Sequence, residues 1–244
     1  MPRFFTPSDL MEDGIIRIKG DDAFHIARSL RMAVGDEVTV SDGKGEILSC
    51  TLTKIRDEEC ECEIIEKLPC HTEPPFPITL CMAYPKGDKL EVVIQKAVEL
   101  GASRIIPFES SRCIKRPKAE KQEKLTQRLN RIAEEAAKQC GRGRLPIVSA
   151  PMSYSTMLKE ISCSDMRIFC YEDETGKSIK DMLEDSSIPT DVAVVVGCEG
   201  GFSNEEASMA KECGCELVSL GGRILRCETA PDFALTAIAY RFEL

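Results

Sequence analysis

The sequence predicts an α/β protein in which a parallel sheet, built from strands that alternate with amphipathic helices, follows a small β-rich barrel. Three observations carry this reading. After residue 72, five apolar runs are separated by helical patterns, the arrangement that makes a parallel sheet. Before it, the runs are short and are joined by turn residues. Between the two, Pro69, Pro74, Pro75 and Pro77 cluster in a polar stretch that reads as a linker. The expected domains are therefore 1–72 and 73–244.

In the first domain, Ile15 to Ile18 reads as a strand, Ala23 to Leu30 as a short helix and Val38 to Val40 as a second strand. Asp42-Gly-Lys-Gly45 turns the chain into Ile47 to Leu52, and Cys60 to Ile65 closes the barrel. In the second domain, strands are expected at Ile78 to Ala83, Arg104 to Pro107, Arg167 to Tyr171, Asp191 to Val196 and Glu216 to Leu220. In the helix after the first of these, Leu90, Val93, Ile94, Ala97 and Val98 share one face, and Gly101 ends it. The longest helix, about Glu120 to Cys140, carries an apolar stripe of Leu125, Leu129, Ile132, Ala136 and Cys140.

Composition narrows the class. No run approaches the ~20 apolar residues that span a bilayer. The opening Met-Pro-Arg-Phe-Phe lacks the apolar core and cleavage site of a secretory signal, so a cytoplasmic address and no membrane partner are expected. Thirteen scattered cysteines do not form a secreted disulfide framework, and the Cys60/Cys62 and Cys213/Cys215 spacings do not suit a common zinc site. Reduced thiols and no metal are expected. In a strand, residues two apart face one side, so such pairs read as packing.

The net charge of −9 is unevenly distributed. From Arg112 to Arg144 there are 11 basic residues against 4 acidic ones, whereas residues 1 to 72 hold 9 basic and 15 acidic. On the long helix, Lys121, Lys124, Arg128 and Arg131 form a ridge beside the buried stripe, and Arg112, Lys115 and Arg116 extend it in the preceding loop. A solvated helix face can look like this. Combined with the loop, the local patch reads as a phosphate-binding surface, because local charge rather than the chain total attracts a polyanion.

Two segments near the C-terminus concentrate the chemistry. Val192 to Val196 runs into Gly197-Cys-Glu-Gly-Gly-Phe-Ser203, where Ser203 and Glu206 form a capping box that opens a helix. Leu217 to Leu220 runs into Gly221-Gly-Arg-Ile-Leu-Arg-Cys-Glu-Thr229-Ala230. Buried strands that end at glycines place exposed backbone at the C-terminal edge of a sheet, where α/β proteins bind ligands. No Gly-Lys-Ser/Thr follows either run, so a nucleotide-binding glycine loop, a third alternative, lacks its expected lysine.

These segments resemble the RsmE family of SPOUT-superfamily ribosomal RNA methyltransferases, whose pattern runs Ile-Gly-Pro-Glu-Gly-Gly-Phe-Ser and Leu-Gly-x-Arg-Ile-Leu-Arg-x-Glu-Thr-Ala. Cys198 stands where the family commonly has proline. The segments from Lys86 to Gly101, His25 to Asp36 and Pro2 to Phe5 are similar to the family as well. The resemblance implies a C-terminal SPOUT domain with a parallel sheet and a deep trefoil knot, and an N-terminal PUA-like RNA-binding barrel. It implies a homodimer that uses S-adenosylmethionine to methylate N3 of a uridine in small-subunit (16S) ribosomal RNA. Tyr171, Gly197, Glu199, Gly200, Gly201, Leu220, Gly221, Ile224, Leu225 and Arg226 would hold the cofactor. Uracil N3 carries a proton on the Watson–Crick edge, so the base must be unpaired or extruded, and its reaction favours a base or cations near the flanking carbonyls. The residues for this are Arg226 and Arg142 as cations, with Glu199 or Glu228 orienting groups or taking the proton. The alternatives are a ribose 2′-O methyltransferase of the same fold and a non-catalytic RNA-binding dimer.

Overall fold

The computed structural model describes residues 1–12, 14–114 and 119–244. Two compact units emerge, Met1–Glu73 with Ala137–Leu145, and Pro74–Ala136 with Pro146–Leu244.

The first unit is a curled six-stranded sheet of β1 (Arg3–Phe5), β2 (Met11–Glu12), β3 (Ile15–Lys19), β4 (Glu37–Ser41), β5 (Ile47–Lys54) and β6 (Glu59–Leu68), in the order β1-β4-β5-β6-β3-β2. All pairs are antiparallel except β1 with β4. Irregularities between Ser49 and Cys50 and between Leu52 and Lys54 shift the β5–β6 register, which bends a sheet. Period-two alternation sends Ile16 and Ile18 inward, and Cys60 and Cys62 join them in the core, as two-residue spacing requires. The Asp42 carboxylate accepts the Lys44 and Glu46 amides and fixes the turn into β5. The expected helix from Ala23 to Leu30 divides into α1 (Asp21–Phe24) and a π-helical turn from His25 to Ser29. The short strands β1 and β2 carry too few alternating residues to be read from sequence.

The second unit is a parallel seven-stranded sheet of β7 (Ile78–Ala83), β8 (Arg104–Glu109), β9 (Ile147–Val148), β10 (Met152–Ser153), β11 (Met166–Cys170), β12 (Val192–Val196) and β13 (Glu216–Val218). Its order is β10-β8-β7-β12-β11-β13, with β9 also on β8. All five expected strands are present. Around them run α2 (Lys89–Glu99), α3 (Gln122–Cys140), α4 (Tyr154–Glu160), α5 (Ile179–Glu184), α6 (Asn204–Glu212) and α7 (Ala230–Phe242). Strand β12, buried at every residue, lies between β7 and β11. The chain builds outward from β7 to β8, crosses to β11, and fills the gap later.

Helix α2 buries the five residues its periodicity marks. On α3 the buried positions are Leu129, Ala133, Ala136 and Ala137, so the stripe is rotated toward the alanines and Leu125, Ile132 and Cys140 are only half-buried. Alanine allows a closer approach of the backbone than a hydropathy stripe registers. The Ser203 capping box forms as expected, with the hydroxyl accepting the Glu206 amide and the Glu206 carboxylate accepting the Ser203 amide. All thirteen cysteines are free. Among the described residues no helix is long and apolar enough to cross a membrane, and no cluster of three metal-ligating side chains is found.

Candidate active site

Because the strands are parallel, the C-terminal ends of β7, β11, β12 and β13 open on one edge of the sheet. There the loops after β11, β12 and β13 enclose a cavity of about 930 Å³. Its lining includes Tyr171, Gly197 to Gly201, Leu220 to Cys227 and Lys89. Every residue named from sequence as cofactor-binding is among them.

The first glycine segment folds as a tight turn in which the Gly201 amide donates to the Cys198 carbonyl at 2.9 Å. Gly201 has φ +64°, a backbone conformation that L side chains rarely adopt, so glycine is favoured there. Cys198, in the family's proline position, is buried with its sulfur 3.8 Å from the Ser110 hydroxyl. The turn is therefore held by its hydrogen bond and by packing. Gly221 has φ +104°, and a Cβ built on it meets nothing within 4 Å, because it would project into open space at the cavity lining. Arg112, expected to contact RNA, is exposed, and it also donates to the Gly200 carbonyl at 2.8 Å and braces the turn.

A charged cluster stands at one side. Lys89 Nζ lies 3.2 Å from Glu199 Oε1 and 3.1 Å from Glu228 Oε2. The Lys86 amide donates to Glu199 at 3.1 Å, and the Cys227 thiol donates to Glu228 at 3.3 Å. Burial pushes the Glu199 carboxyl up, but its own amide, the Lys86 amide and the Lys89 ammonium outweigh this and hold it below the ordinary range. For Glu228 its own backbone amide is the largest influence, followed among the lowering ones by Lys89 and Cys227, and it too is held low. Hydrogen bonds to Glu228 and Glu199 raise Lys89. All three are ionised at neutral pH. Sequence reasoning missed Lys89; its one local signal is a cation in the first turn of α2, where the helix dipole disfavours it.

The other candidates separate. The Tyr171 hydroxyl donates to Asn204 Oδ1 at 2.8 Å, which fixes the ring against the cavity. Leu220 and Leu225 are half-buried, whereas Ile224 is 91% exposed on the lining. Arg226 is exposed on the lining, and its guanidinium has no hydrogen bond or ion pair among the described residues.

Arg142, the other cation read from sequence, is engaged by a carboxylate. It belongs to the first unit, with its side chain 3% exposed and held by both oxygens of Glu73 at 2.9 and 2.8 Å. The same carboxylate accepts the Gly143 and Arg144 amides. A buried fork of this kind holds both groups in place, with Nε and Nη2 of the guanidinium each donating to one carboxylate oxygen. Replacing Arg142 with alanine is expected to cost about 3–5 kcal/mol of stability by stranding Glu73, and to leave cofactor affinity unchanged. Burial raises the Glu73 carboxyl, but Arg142 and the two amides outweigh it and lower it overall. Its contribution is thus full above the unfolded carboxyl value of about 4.3 and is lost as pH falls through the folded value. Urea titrations of wild type and Arg142→Ala should converge in acid and diverge at neutral pH.

Lys121, in the 3-10 turn before α3, and Lys124 on α3 are exposed, while Arg128 pairs with Glu91 at 2.7 Å and Arg131 with Glu135 at 3.3 Å. These are surface pairs, weak enough for a phosphate to displace. Lys115 and Arg116 lie outside the described residues.

The residues present suit S-adenosylmethionine. Glycine backbone supplies hydrogen-bonding groups without side chains in the way, Leu220, Leu225 and Val196 offer apolar contact to a nucleoside, and Glu172, Glu174 and Glu199 suit a cationic sulfonium and ammonium. Residues 72–239 match the RNA methyltransferase domain family, and residues 18–65 match the RNA methyltransferase PUA domain family. Ribosomal RNA small subunit methyltransferase E of Bacillus subtilis (strain 168) is 34% identical over 251 residues, covering 100% of this chain and 98% of that protein. The chain belongs to the ribosomal RNA small subunit methyltransferase E family. The member of this family from Synechocystis is 33% identical over 215 residues, 88% of this chain and 69% of that protein. The crystal structure of the Neisseria gonorrhoeae family member bound to S-adenosyl methionine superposes with a TM-score of 0.86 at 32% identity, covering 98% of this chain and 97% of that one.

Proposed function

We propose that this protein uses S-adenosylmethionine to methylate N3 of a uridine in small-subunit ribosomal RNA. The observation that carries the reading is the glycine-lined cavity at the shared strand edge, with paired carboxylates and an exposed arginine on or beside its lining. When bound, the cofactor supplies an electrophilic methyl group. Tyr171, Gly197, Gly200, Gly201, Leu220, Gly221, Ile224 and Leu225 form its seat, with Glu199 and Arg226 at the reacting side. Glu199 and Glu228, held ionised, are acceptors at neutral pH, suited to orienting the N3–H or taking its proton. Arg226, exposed on the rim, is placed to meet charge that develops on the uracil carbonyls.

Residues 1–72 are read as a PUA-like RNA-binding barrel and 73–244 as a SPOUT domain with a trefoil knot. The two domain matches and the late insertion of β12 between β7 and β11 support this. A homodimer is the expected assembly. Its support is α7, whose Phe233 and Tyr240 are 41% and 76% exposed on the face opposite Ala234, Leu235 and Ile238. The site of action is the cytoplasm, where small-subunit RNA is made.

Nucleoside mass spectrometry of 16S ribosomal RNA tests the reading: cells lacking the protein should lose one N3-methyluridine, and purified protein should restore it. A lost 2′-O-methyl mark would replace this reading with the ribose alternative. Replacing Lys121, Lys124, Arg128 and Arg131 with glutamine should weaken RNA binding and flatten its salt dependence at unchanged cofactor affinity. Arg226→Ala should instead lower turnover by about 100-fold with RNA binding retained. Wild-type turnover in that variant would remove Arg226 from the chemistry.

A further inference from the structure

We infer that Lys89 is a catalytic cation of this site, donating to a carbonyl oxygen of the target uracil while Glu199 takes the N3 proton. The inference rests on the uridine-N3 reading above and adds a residue to it.

An ammonium has three N–H donors. Two of those on Lys89 face Glu199 and Glu228, at 3.2 and 3.1 Å, and the third partner is the Cys227 sulfur at 3.8 Å, a weak acceptor that an incoming oxygen displaces. One donor is therefore available to an incoming oxygen. Lys89 lines the cavity and its side chain is 37% exposed, so a base reaching Glu199 also reaches it.

Charge balance gives the cation its purpose. The cluster of Lys89, Glu199 and Glu228 carries one net negative charge. When the N3–H bond breaks, the proton forms an O–H bond on Glu199 and the electron pair stays on the uracil, spread over N3, O2 and O4. Net charge is conserved, but the negative charge has moved from a carboxylate to the base. Lys89, freed of one ionised partner by the same step, can follow it. A carboxylate held low is a weak base for an imide proton, and a preorganised cation at the uracil oxygen makes up the difference. The surrounding charges are Glu199 from the glycine turn, Glu228 from the segment before α7, Lys86 and Asp88 beside it in sequence, and Arg223 and Arg226 on the same cavity wall, with Cys227 present as a neutral thiol.

The test compares wild type, Lys89→Met and Lys89→Arg in single-turnover methylation of small ribosomal subunits from cells lacking the protein, with S-adenosylhomocysteine affinity measured by calorimetry. Lys89→Met should keep cofactor affinity within a few-fold and lose about 100-fold in rate at neutral pH. The defect should shrink as pH rises toward N3 ionisation, because a base that ionises by itself needs no cation, and Lys89→Arg should recover most of the rate. Subunits carrying 5-fluorouridine, whose N3 is more acidic, should shrink the defect at neutral pH. A Lys89→Met rate equal to wild type, or a defect that is constant in pH and unchanged by 5-fluorouridine, overturns the inference. If Lys89→Met loses its fold, Lys89→Gln undergoes the same comparison. Absence of N3-methyluridine in the wild-type product overturns the uridine reading itself, whereas its presence with an unaffected Lys89→Met overturns Lys89 alone.

Discussion

A Gly221→Val variant is expected to fold, to melt a few degrees below wild type, and to bind S-adenosylhomocysteine at least ~100-fold more weakly, a loss of about 3 kcal/mol. The two effects have separate origins. With φ at +104°, valine is strained by roughly 1–3 kcal/mol, which accounts for the lower melting temperature. Nothing within 4 Å resists the new Cβ, so the neighbouring structure stays put and the branched side chain projects into the cavity. Gly35→Val is the control. Gly35 has φ +99° and an equally open Cβ position, but lies in the first unit, so it should reproduce the strain and keep the affinity. Calorimetry beside a thermal melt reads both quantities, and unchanged affinity in a folded Gly221→Val protein would rule out this cavity as the cofactor site.

Phe202→Ala should lose about 3–5 kcal/mol of stability, as expected for an aromatic ring removed from a closed core. At roughly 2–4 °C per kcal/mol for a chain of this size, the melting temperature falls by about 6–20 °C. Phe202 is 0% exposed, 4.3 Å from the Phe169 ring and 6.3 Å from those of Phe108 and Tyr154. It thereby ties β8, β11 and the start of α4 together beneath the glycine turn. A Cβ on Gly197 would lie 3.2 Å from this ring, so the ring is also the surface on which the turn rests. Cofactor affinity should fall with stability, and Phe202→Leu, which refills most of the volume, should restore much of both. A melting temperature within 2 °C of wild type, against the drop of about 6–20 °C, would show that the core closes over the missing ring.

Much of this was legible in the residues because its causes are local. Periodicity is set by side-chain direction along one element, so Leu90 to Val98 announced the buried face of α2 and Val192 to Val196 a strand covered on both sides. The Ser203 and Glu206 cap, and the glycines that end β12 and follow β13, depend on backbone conformation within a few residues. Those features, with the motif resemblance they carry, determined the fold class and the family.

What tertiary structure decided was which distant groups meet. Strand order is not written in any strand, since β7, β11 and β12 are alike in apolar content and only packing places β12 between the other two. From that order follow the meeting of Lys86 with Glu199 across 113 positions and of Lys89 with Cys227 across 138. Arg142 shows the converse. Its type and its neighbours suited a cation for uracil, yet a carboxylate 69 positions away claims it, because a buried guanidinium must be paired wherever the fold puts it. Arg112 likewise reads as one charge in a basic run and serves as a brace for Gly200. Local preferences act along the chain within a turn or two, whereas a charge finds its partner only when the sheet has brought the two together.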